Sequence, residues 1–270
     1  MIITSTSNQR IKEIRKLHDR KGRRERGLFY VEGLRHVIEV DKLGLLPEMV
    51  VYAPELLTSQ AGWTLIEKWG DVVPNFYEVS QEVFRSISVR EDPQGISVVM
   101  RQSWESLDKL HPEGNDIWIA LDSVADPGNL GTVFRTADAI GAKGVILLDQ
   151  CTDPYDPSAV RASMGSIFSL EVSQALFQEF KHWKKQNGIS LVGTSDRAKL
   201  DYQEMQYPER MVLLMGSERS GLQDYHLSLC DDVVRIPMMG RCDSLNLAVA
   251  TSVILYEIFN QHRKPMGKER

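Results

Sequence analysis

The chain has 270 residues, is 42% hydrophobic and carries a formal net charge of −5. That length allows a well-buried core in one large or two ordinary domains, and the acidic balance excludes a generally basic nucleic-acid coat protein. Cys151, Cys230 and Cys242 are odd in number, far apart and form no C-x-x-C pair, which argues against a disulfide framework and a zinc site and fits a reducing cytoplasm. Met1-Ile-Ile-Thr-Ser-Thr-Ser reaches polar residues too soon for a signal peptide, and no apolar run approaches the length that spans a bilayer. The expectation is a cytoplasmic protein with no membrane partner.

The first predicted helix follows Ser7, a candidate N-cap, with Ile11, Ile14 and Leu17 on one face and Arg10, Lys12, Arg15 and Lys16 around the rest. Arg20-Lys-Gly-Arg-Arg-Glu-Arg26 extends the charge and has too few apolar residues to belong to a core. Residues 28–31 read as a buried strand, Glu32-Gly33 as a turn and residues 34–43 as a helix. Strand patterns at 49–52, 75–79 and 96–100 alternate with helical ones such as 56–69, where Leu65, Ile66 and Trp69 share a face. Residues 1–100 are therefore expected to form an α/β domain. Residues 101–115 are polar, contain Pro112-Glu-Gly114 and read as a linker, which leaves 116–270 as a second domain.

In that second part the pattern predicts strands at 117–124, 145–148, 189–193, 211–215 and 233–236, most economically paired in parallel. Helices are predicted at 129–140, at 175–185 with Leu176, Phe177, Phe180 and Trp183 inward, and from Ser244 to about Gln261. No G-x-G-x-x-G follows a strand and no G-x-x-x-x-G-K-[ST] loop is present, which argues against standard dinucleotide and nucleoside-triphosphate sites, and the glycine-rich methyl-donor motif of Rossmann-type methyltransferases is missing too. The strand-end loops offer another pocket, because ligands bind at the C-terminal edge of a parallel sheet. Gly216 follows strand 211–215, Pro237 to Asp243 follow strand 233–236, and Asn129 follows the strand ending near Val124. Taken singly, Gly216 and Gly221 fit ordinary turns and Met238-Met239 fits packing; the joint spacing favours a ligand site.

These loops lie in three ordered motifs: Leu121-Asp-Ser-Val-Ala-Asp-Pro-Gly-Asn-Leu-Gly-Thr-Val-Phe-Arg135, Leu214-Met-Gly-Ser-Glu-Arg-Ser-Gly221 and Ile236-Pro-Met-Met-Gly-Arg-Cys-Asp-Ser-Leu-Asn246. Together they resemble the SpoU/TrmH family of RNA ribose 2′-O-methyltransferases, within the SPOUT superfamily. Asn8 to Lys21, Phe29-x-Val-Glu-Gly33 and Pro93-Gln-Gly95 are similar to that family's N-terminal substrate-binding domain, so the likeness covers nearly the whole chain. The resemblance implies S-adenosylmethionine as cofactor, contacted at Gly216, Ile236 and Leu245, with Met238 and Thr194 as further candidates. It implies that Asn129, Arg135, Glu218, Ser244 and Asn246 supply the catalytic and structural polar groups. The implied architecture is a ribosomal-protein-like α/β domain followed by a SPOUT α/β domain with a deep trefoil knot, which the general avoidance of knots would not have suggested. It further implies a homodimer whose site is completed near the subunit interface. Arg219 departs from the family by standing where small residues are common. Asp153-Pro-Tyr-Asp-Pro-Ser-Ala-Val-Arg-Ala-Ser-Met-Gly165, including Arg161, is also similar to the family, without a role that the residues themselves reveal.

Methylation of a ribose hydroxyl is an in-line attack on a sulfonium methyl, in which the hydroxyl proton must leave. A guanidinium with a pKa above about 12 is a poor proton acceptor, so Arg135 is read as orienting the ribose and its phosphate and stabilising alkoxide character. Its alternative is a surface salt bridge; capping roles are the alternatives for Asn129, Glu218, Ser244 and Asn246. Lys12, Lys16, Lys21, Arg23 and Arg24 are candidate RNA contacts, against the alternative of a merely solvated basic face. Ribosomal RNA is preferred to transfer RNA as substrate. The rivals are a non-catalytic RNA-binding or ribosome-assembly factor on the same fold and a nucleotide-dependent enzyme acting on small molecules.

Overall fold

The structure is a computed structural model that describes residues 2–263; Met1 and residues 264–270, included in the expected domain spans, lie outside the described residues. The chain divides into two compact units, Met1–Gln102 with Asp153–Ser169, and Ser103–Thr152 with Leu170–Arg270.

The first unit begins with α1 (Gln9–Lys16), whose Ile11 and Ile14 are buried. Its cap is Asn8 and not Ser7, since the Asn8 side chain accepts the Arg10 N–H at 2.8 Å. The charged stretch that follows is a helix, α2 (Arg20–Arg26), and it does enter the core, contrary to the sequence-based expectation. Gly22 passes so close to the end of α1 that a Cβ there would lie 1.9 Å from the Lys16 carbonyl oxygen. Arg23 is 1% exposed. Its guanidinium donates to Asp153 at 2.7 Å, to Asp156 at 3.2 Å and to the carbonyls of Leu17 and His18 at 3.0 and 2.8 Å. A buried guanidinium needs this near-complete set of acceptors, and it leaves no face for a phosphate. The assignment of Arg23 as an RNA contact is therefore corrected.

The remaining elements of this region are β1 (Leu28–Glu32), α3 (Leu34–Lys42), β2 (Met49–Tyr52), α4 (Gln60–Gly70), β3 (Phe76–Glu78), α5 (Gln81–Ile87) and β4 (Ile96–Arg101). Helix α5 has no counterpart among the predicted elements; it is short and is capped by Ser80, whose hydroxyl accepts the Val83 N–H. The sheet runs β1-β4-β2-β3, with β4 antiparallel to β1 and β2, and β2 parallel to β3. Alternation along β1 sends Phe29 and Val31 to one face with Val37, Val40 and Trp69, and Tyr30 to the other with Ile11, Ile14, Val83 and Phe84.

The second unit contains β5 (Ile117–Asp122), α6 (Pro127–Ala139) and β6 (Gly144–Leu148). The chain then contributes α7 (Pro157–Ser163) to the first unit, so the C-terminal domain is not continuous in sequence. Tyr155, Val160 and Ile167 join the first unit's core, with the Tyr155 and Phe29 rings 4.6 Å apart. The second unit continues with β7 (Glu171–Ala175), α8 (Phe177–Asn187), β8 (Ser190–Thr194), β9 (Leu200–Asp201), β10 (Met211–Met215), α9 (Asp224–Leu227), β11 (Asp232–Arg235) and α10 (Leu247–His262). Leu176 is exposed, not inward, because α8 begins only after it.

All seven strands of this sheet are parallel, in the order β7-β6-β5-β10-β8-β11-β9. Ile117, Ile119 and Leu121 of β5 pack with α6 and α10, while Trp118 and Ala120 pack with α8, so both faces are covered. Residues expected to be a free linker belong to this unit: the Glu105 N–H bonds the Val172 carbonyl at 2.8 Å, and Trp183 donates to the Leu110 carbonyl at 2.9 Å.

Arg23→Ala is expected to destabilise the protein by roughly 2–4 kcal/mol, because it strands two carboxylates and two carbonyls. Arg24→Ala on the exposed side of α2 should change stability by less than about 0.5 kcal/mol. Urea unfolding of both variants compares the two directly.

Candidate active site

A cleft of about 720 Å³ opens where the carboxyl ends of β8, β10 and β11 meet the start of α10. Parallel pairing puts these ends on one edge, and each strand exits into a loop rich in small or polar residues. Thr194 ends β8, Gly216 follows β10, and Ile236 and Met238 follow β11; all four line the cleft with Ser244, Leu245, Asn246, Glu218 and Asn129. The floor is apolar, with Met215, Val234, Leu247, Ala250 and Ile254. Leu245 and Met238 remain 38% and 36% exposed, apolar surface available to a ligand.

Gly216 has a definite steric reason. A Cβ at this position would lie 2.2 Å from the Gly221 carbonyl carbon and 2.4 Å from the Leu222 nitrogen. The loop turns back at Ser217, whose carbonyl accepts the Gly221 N–H at 3.0 Å, and Gly221 takes φ +58°. Only glycine permits this close return, so the requirement comes from the loop itself as well as from any ligand above it.

One chain of side-chain hydrogen bonds joins the three sequence motifs. Asn129 donates through Nδ2 to Glu218 Oε1 at 3.1 Å, and its Oδ1 accepts from Asn246 Nδ2 at 2.9 Å. The Glu218 carboxylate also accepts the N–H groups of Ala125 and Asp126, each at 3.2 Å, just before α6. Asn246 caps α10, its Oδ1 accepting from Ala248 and Val249 at 3.0 and 3.3 Å. Partial desolvation would raise the Glu218 pKa, but the Asn129 amide and the peptide N–H groups of Glu218, Ala125 and Asp126 outweigh it and hold the carboxyl below the usual glutamate range. The link thus holds as pH falls through that range and is lost only below it.

Capping and the network coexist, with details that differ from expectation. The cap of α6 is Asp126, which accepts the Asn129 N–H at 2.6 Å and leaves the Asn129 side chain free for the network. Ser244 does not open α10; it lies before the Asn246 cap and hydrogen-bonds only its neighbour Asp243 among the described residues, at 3.2 Å. Arg135 is the member that the cleft does not include: it is exposed on α6 and is not among the lining residues. Six residues separate it from Asn129, about 240° around the helix, so the two side chains leave on different sides. Sequence reasoning overlooked Ser195, Asp196 and Arg197 in the β8–β9 loop, although they too follow the carboxyl end of a parallel strand.

A parallel α/β unit with a cleft at the carboxyl ends of its strands is an enzyme-like ligand-binding domain. Residues 116–256 match the SpoU rRNA Methylase family, and residues 8–97 match the MRM3-like substrate binding domain. The chain is 30% identical over 258 residues to the 23S rRNA (guanosine(2553)-2'-O)-methyltransferase RlmP of Bacillus subtilis, covering 95% of this chain and 98% of that protein. It is similar to the AdoMet-bound rRNA methyltransferase of Sinorhizobium meliloti, with a TM-score of 0.89, 36% identity, and coverage of 98% of this chain and 99% of that one. The SpoU methyltransferase AviRb from Streptomyces viridochromogenes, in complex with AdoMet, gives a TM-score of 0.83 at 28% identity, over 94% of this chain and 98% of that one. The chain belongs to the SpoU rRNA methylase family, as the resemblance of its three motifs implied.

Asn129→Ala severs both links of the network and leaves Glu218 and Asn246 each one partner short, a cost of about 1–2 kcal/mol. Amide hydrogens in residues 216–221 and 243–250 should exchange faster in this variant, as read by mass spectrometry. An unchanged exchange pattern would mean that other contacts hold these loops.

Proposed function

We propose that this protein transfers the methyl group of S-adenosylmethionine to a ribose 2′-hydroxyl of RNA, with ribosomal RNA preferred to transfer RNA, and that it works as a homodimer. The observation that carries the site assignment is the Glu218–Asn129–Asn246 chain, which fixes the loops of three motifs around one glycine-edged cleft. The cleft suits the cofactor: its volume is that of a typical small-molecule pocket, its floor is apolar, and backbone at Gly216 and Ile236 is within reach of a flat ring. Gly216, Ile236, Leu245, Met238 and Thr194 are the residues that would hold it. When bound, it supplies an electrophilic methyl on a sulfonium.

The chain's own residues set the rest of the chemistry. Glu218 and Asn129 are engaged with each other, with the Asn246 amide and with the peptide N–H groups of Ala125 and Asp126, so their part is to hold the loops. Ser244, which lines the cleft and bonds only its neighbour Asp243 among the described residues, is left to meet the substrate. Arg135 orients the ribose and stabilises developing negative charge on its oxygen.

For Arg135 to act it must be brought to a cleft that its own α6 turns it away from. Val249 and Tyr256 on α10 are 49% and 47% exposed, with Val253 between them on the same face, an apolar stripe beside α6. Thr136 of α6 and Ser252 of α10 hydrogen-bond at 2.8 Å, which ties the two helices into one surface. Pairing of this surface with its copy is proposed as the dimer, with Arg135 of one subunit completing the cleft of the other. The knotted path implied by the resemblance is retained in this reading.

The RNA-capturing face is placed on α1 and α2, where Lys12, Lys16, Lys21 and Arg24 are exposed. Lys16 pairs with Glu13 at 2.7 Å and Lys21 with Glu25 at 3.9 Å, exposed pairs that cost little to exchange for a phosphate. No helix among the described residues is long and apolar enough to cross a membrane. The proposed location, the cytoplasm, rests on the RNA substrate.

The enzyme reading is tested by calorimetry with S-adenosylhomocysteine and by methyl transfer to unmodified ribosomal RNA. Arg135→Ala should nearly abolish transfer with the calorimetric affinity largely kept, and Arg135→Lys should also be poor, since a point charge does not replace a planar fork of donors. Mixing the Arg135→Ala and Gly216→Val chains should restore partial activity if the arginine serves the opposite subunit's cleft. No restoration in a mixture shown to contain heterodimers would sink that arrangement.

Substituting Lys12, Lys16, Lys21 and Arg24 by glutamine together should leave the fold intact. RNA affinity should fall, and its logarithmic salt dependence should flatten by roughly 0.7 to 0.9 for each phosphate contact removed. Unaltered RNA binding would place the RNA elsewhere.

A further inference from the structure

Arg219 has no part in the network above, and the family resemblance gives it none. It lies in the second-motif turn, between Glu218 and Ser220, and lines the cleft. That turn is well fixed. The Ser217 hydroxyl accepts the Ser220 N–H at 3.3 Å and lies 2.8 Å from the Ser220 hydroxyl, while the Ser217 carbonyl holds the Gly221 N–H at 3.0 Å.

Three arginines line the cleft, and two are already matched. Arg197 pairs with Asp224 at 3.4 Å, and Arg235 with Asp201 at 2.6 Å. Arg219 has no ion pair or hydrogen bond from its side chain among the described residues. The neighbouring Glu218 carboxylate is taken up by Asn129 and two peptide N–H groups. Asp196 and Asp243 also line the cleft, each bonded only to an adjacent serine hydroxyl among the described residues. The rim therefore presents two unpaired carboxylates and one unpaired guanidinium.

This charge set meets a constraint of the substrate. A ribose 2′-hydroxyl is on the carbon next to the one that bears the 3′-phosphodiester, so an acceptor ribose in the cleft brings a phosphate to its rim. Asp196 and Asp243 would repel that phosphate. A guanidinium on a fixed turn can bind two of its oxygens in parallel and offset the repulsion. We infer that Arg219 binds the phosphodiester adjoining the acceptor ribose, and so sets where along the RNA strand the hydroxyl is offered. The inference rests on the proposed function and adds a substrate-binding residue to it.

An anion with two acceptor oxygens could also be the carboxylate of the cofactor, and the experiment separates the two. Arg219→Ala and Arg219→Lys are compared with the unaltered enzyme in three measurements: S-adenosylhomocysteine affinity by calorimetry, steady-state methyl transfer to ribosomal RNA transcribed in vitro, and filter binding of that RNA across a salt series. Arg219→Ala should raise KM for RNA by about ten- to a hundredfold, the effect of one charge-assisted pair. Its logarithmic salt slope should fall by roughly 0.7, one phosphate of a single strand. S-adenosylhomocysteine affinity should stay within twofold. Arg219→Lys should recover the salt slope but only part of the KM. A loss of S-adenosylhomocysteine affinity that accounts for the defect would assign Arg219 to the cofactor and overturn the inference. So would an RNA KM and salt slope equal to those of the unaltered enzyme. Absence of transfer by the unaltered enzyme would count against the proposed function instead, and the salt series would still decide whether Arg219 meets a phosphate.

Discussion

A single carboxylate, that of Glu218, organises the catalytic unit. It sits against the N–H groups that precede α6, where peptide dipoles favour a negative charge, and Asn129 takes its remaining reach. Asn129 in turn receives Asn246, which caps α10. Two helix starts and the second-motif loop are thus fixed relative to one another by groups that each satisfy the next. Linkage of this kind gives a rigid rim, because loosening one member leaves another polar group without its partner.

The rim can be built there because the sheet is wholly parallel. Every strand leaves the sheet at the same edge, so residues remote in sequence, such as Asn129 and Asn246, come together as soon as β5, β10 and β11 are in register. Burial of both faces, with α6 and α10 on one side and α8 on the other, adds apolar contacts to the backbone ladder that sets that register. The site is consequently assembled from loops but held by a scaffold that none of those loops has to stabilise.

The first unit shows how charge patterning misleads when burial is unknown. Arg20 to Arg26 reads as a solvated basic stretch, yet Arg23 is enclosed by Asp153, Asp156 and two carbonyls. The two carboxylates come from a segment about 130 residues downstream, so no local pattern could reveal that one cation of the run is spent inside. Neighbouring Arg24 and Lys21 remain outside, where a phosphate can reach them. Distinguishing the two kinds of arginine matters, since one is committed to folding and the others stay open to solvent.

Much of this protein was legible in the chain because the relevant physics is local. Strand runs such as Met211 to Met215 and the stripe of Ile11, Ile14 and Leu17 declare themselves through periodicity. The three motifs pointed to the family and to part of the cleft, Asn129, Gly216, Glu218, Ile236 and Ser244 to Asn246, since their order and spacing survive without knowledge of contacts. Long-range pairing decided the rest. Only the folded chain showed that Asp153–Ser169 joins the first unit, that residues 103–115 pack into the second, and that Asn246 caps α10 in place of Ser244. Likewise only the helix geometry turned Arg135 away from the cleft beside Asn129, because direction around a helix depends on where α6 packs. Sequence fixes which groups are present and what each locally prefers; which partner satisfies each buried polar group is set by contacts between distant segments, and those exist only once the sheet has formed.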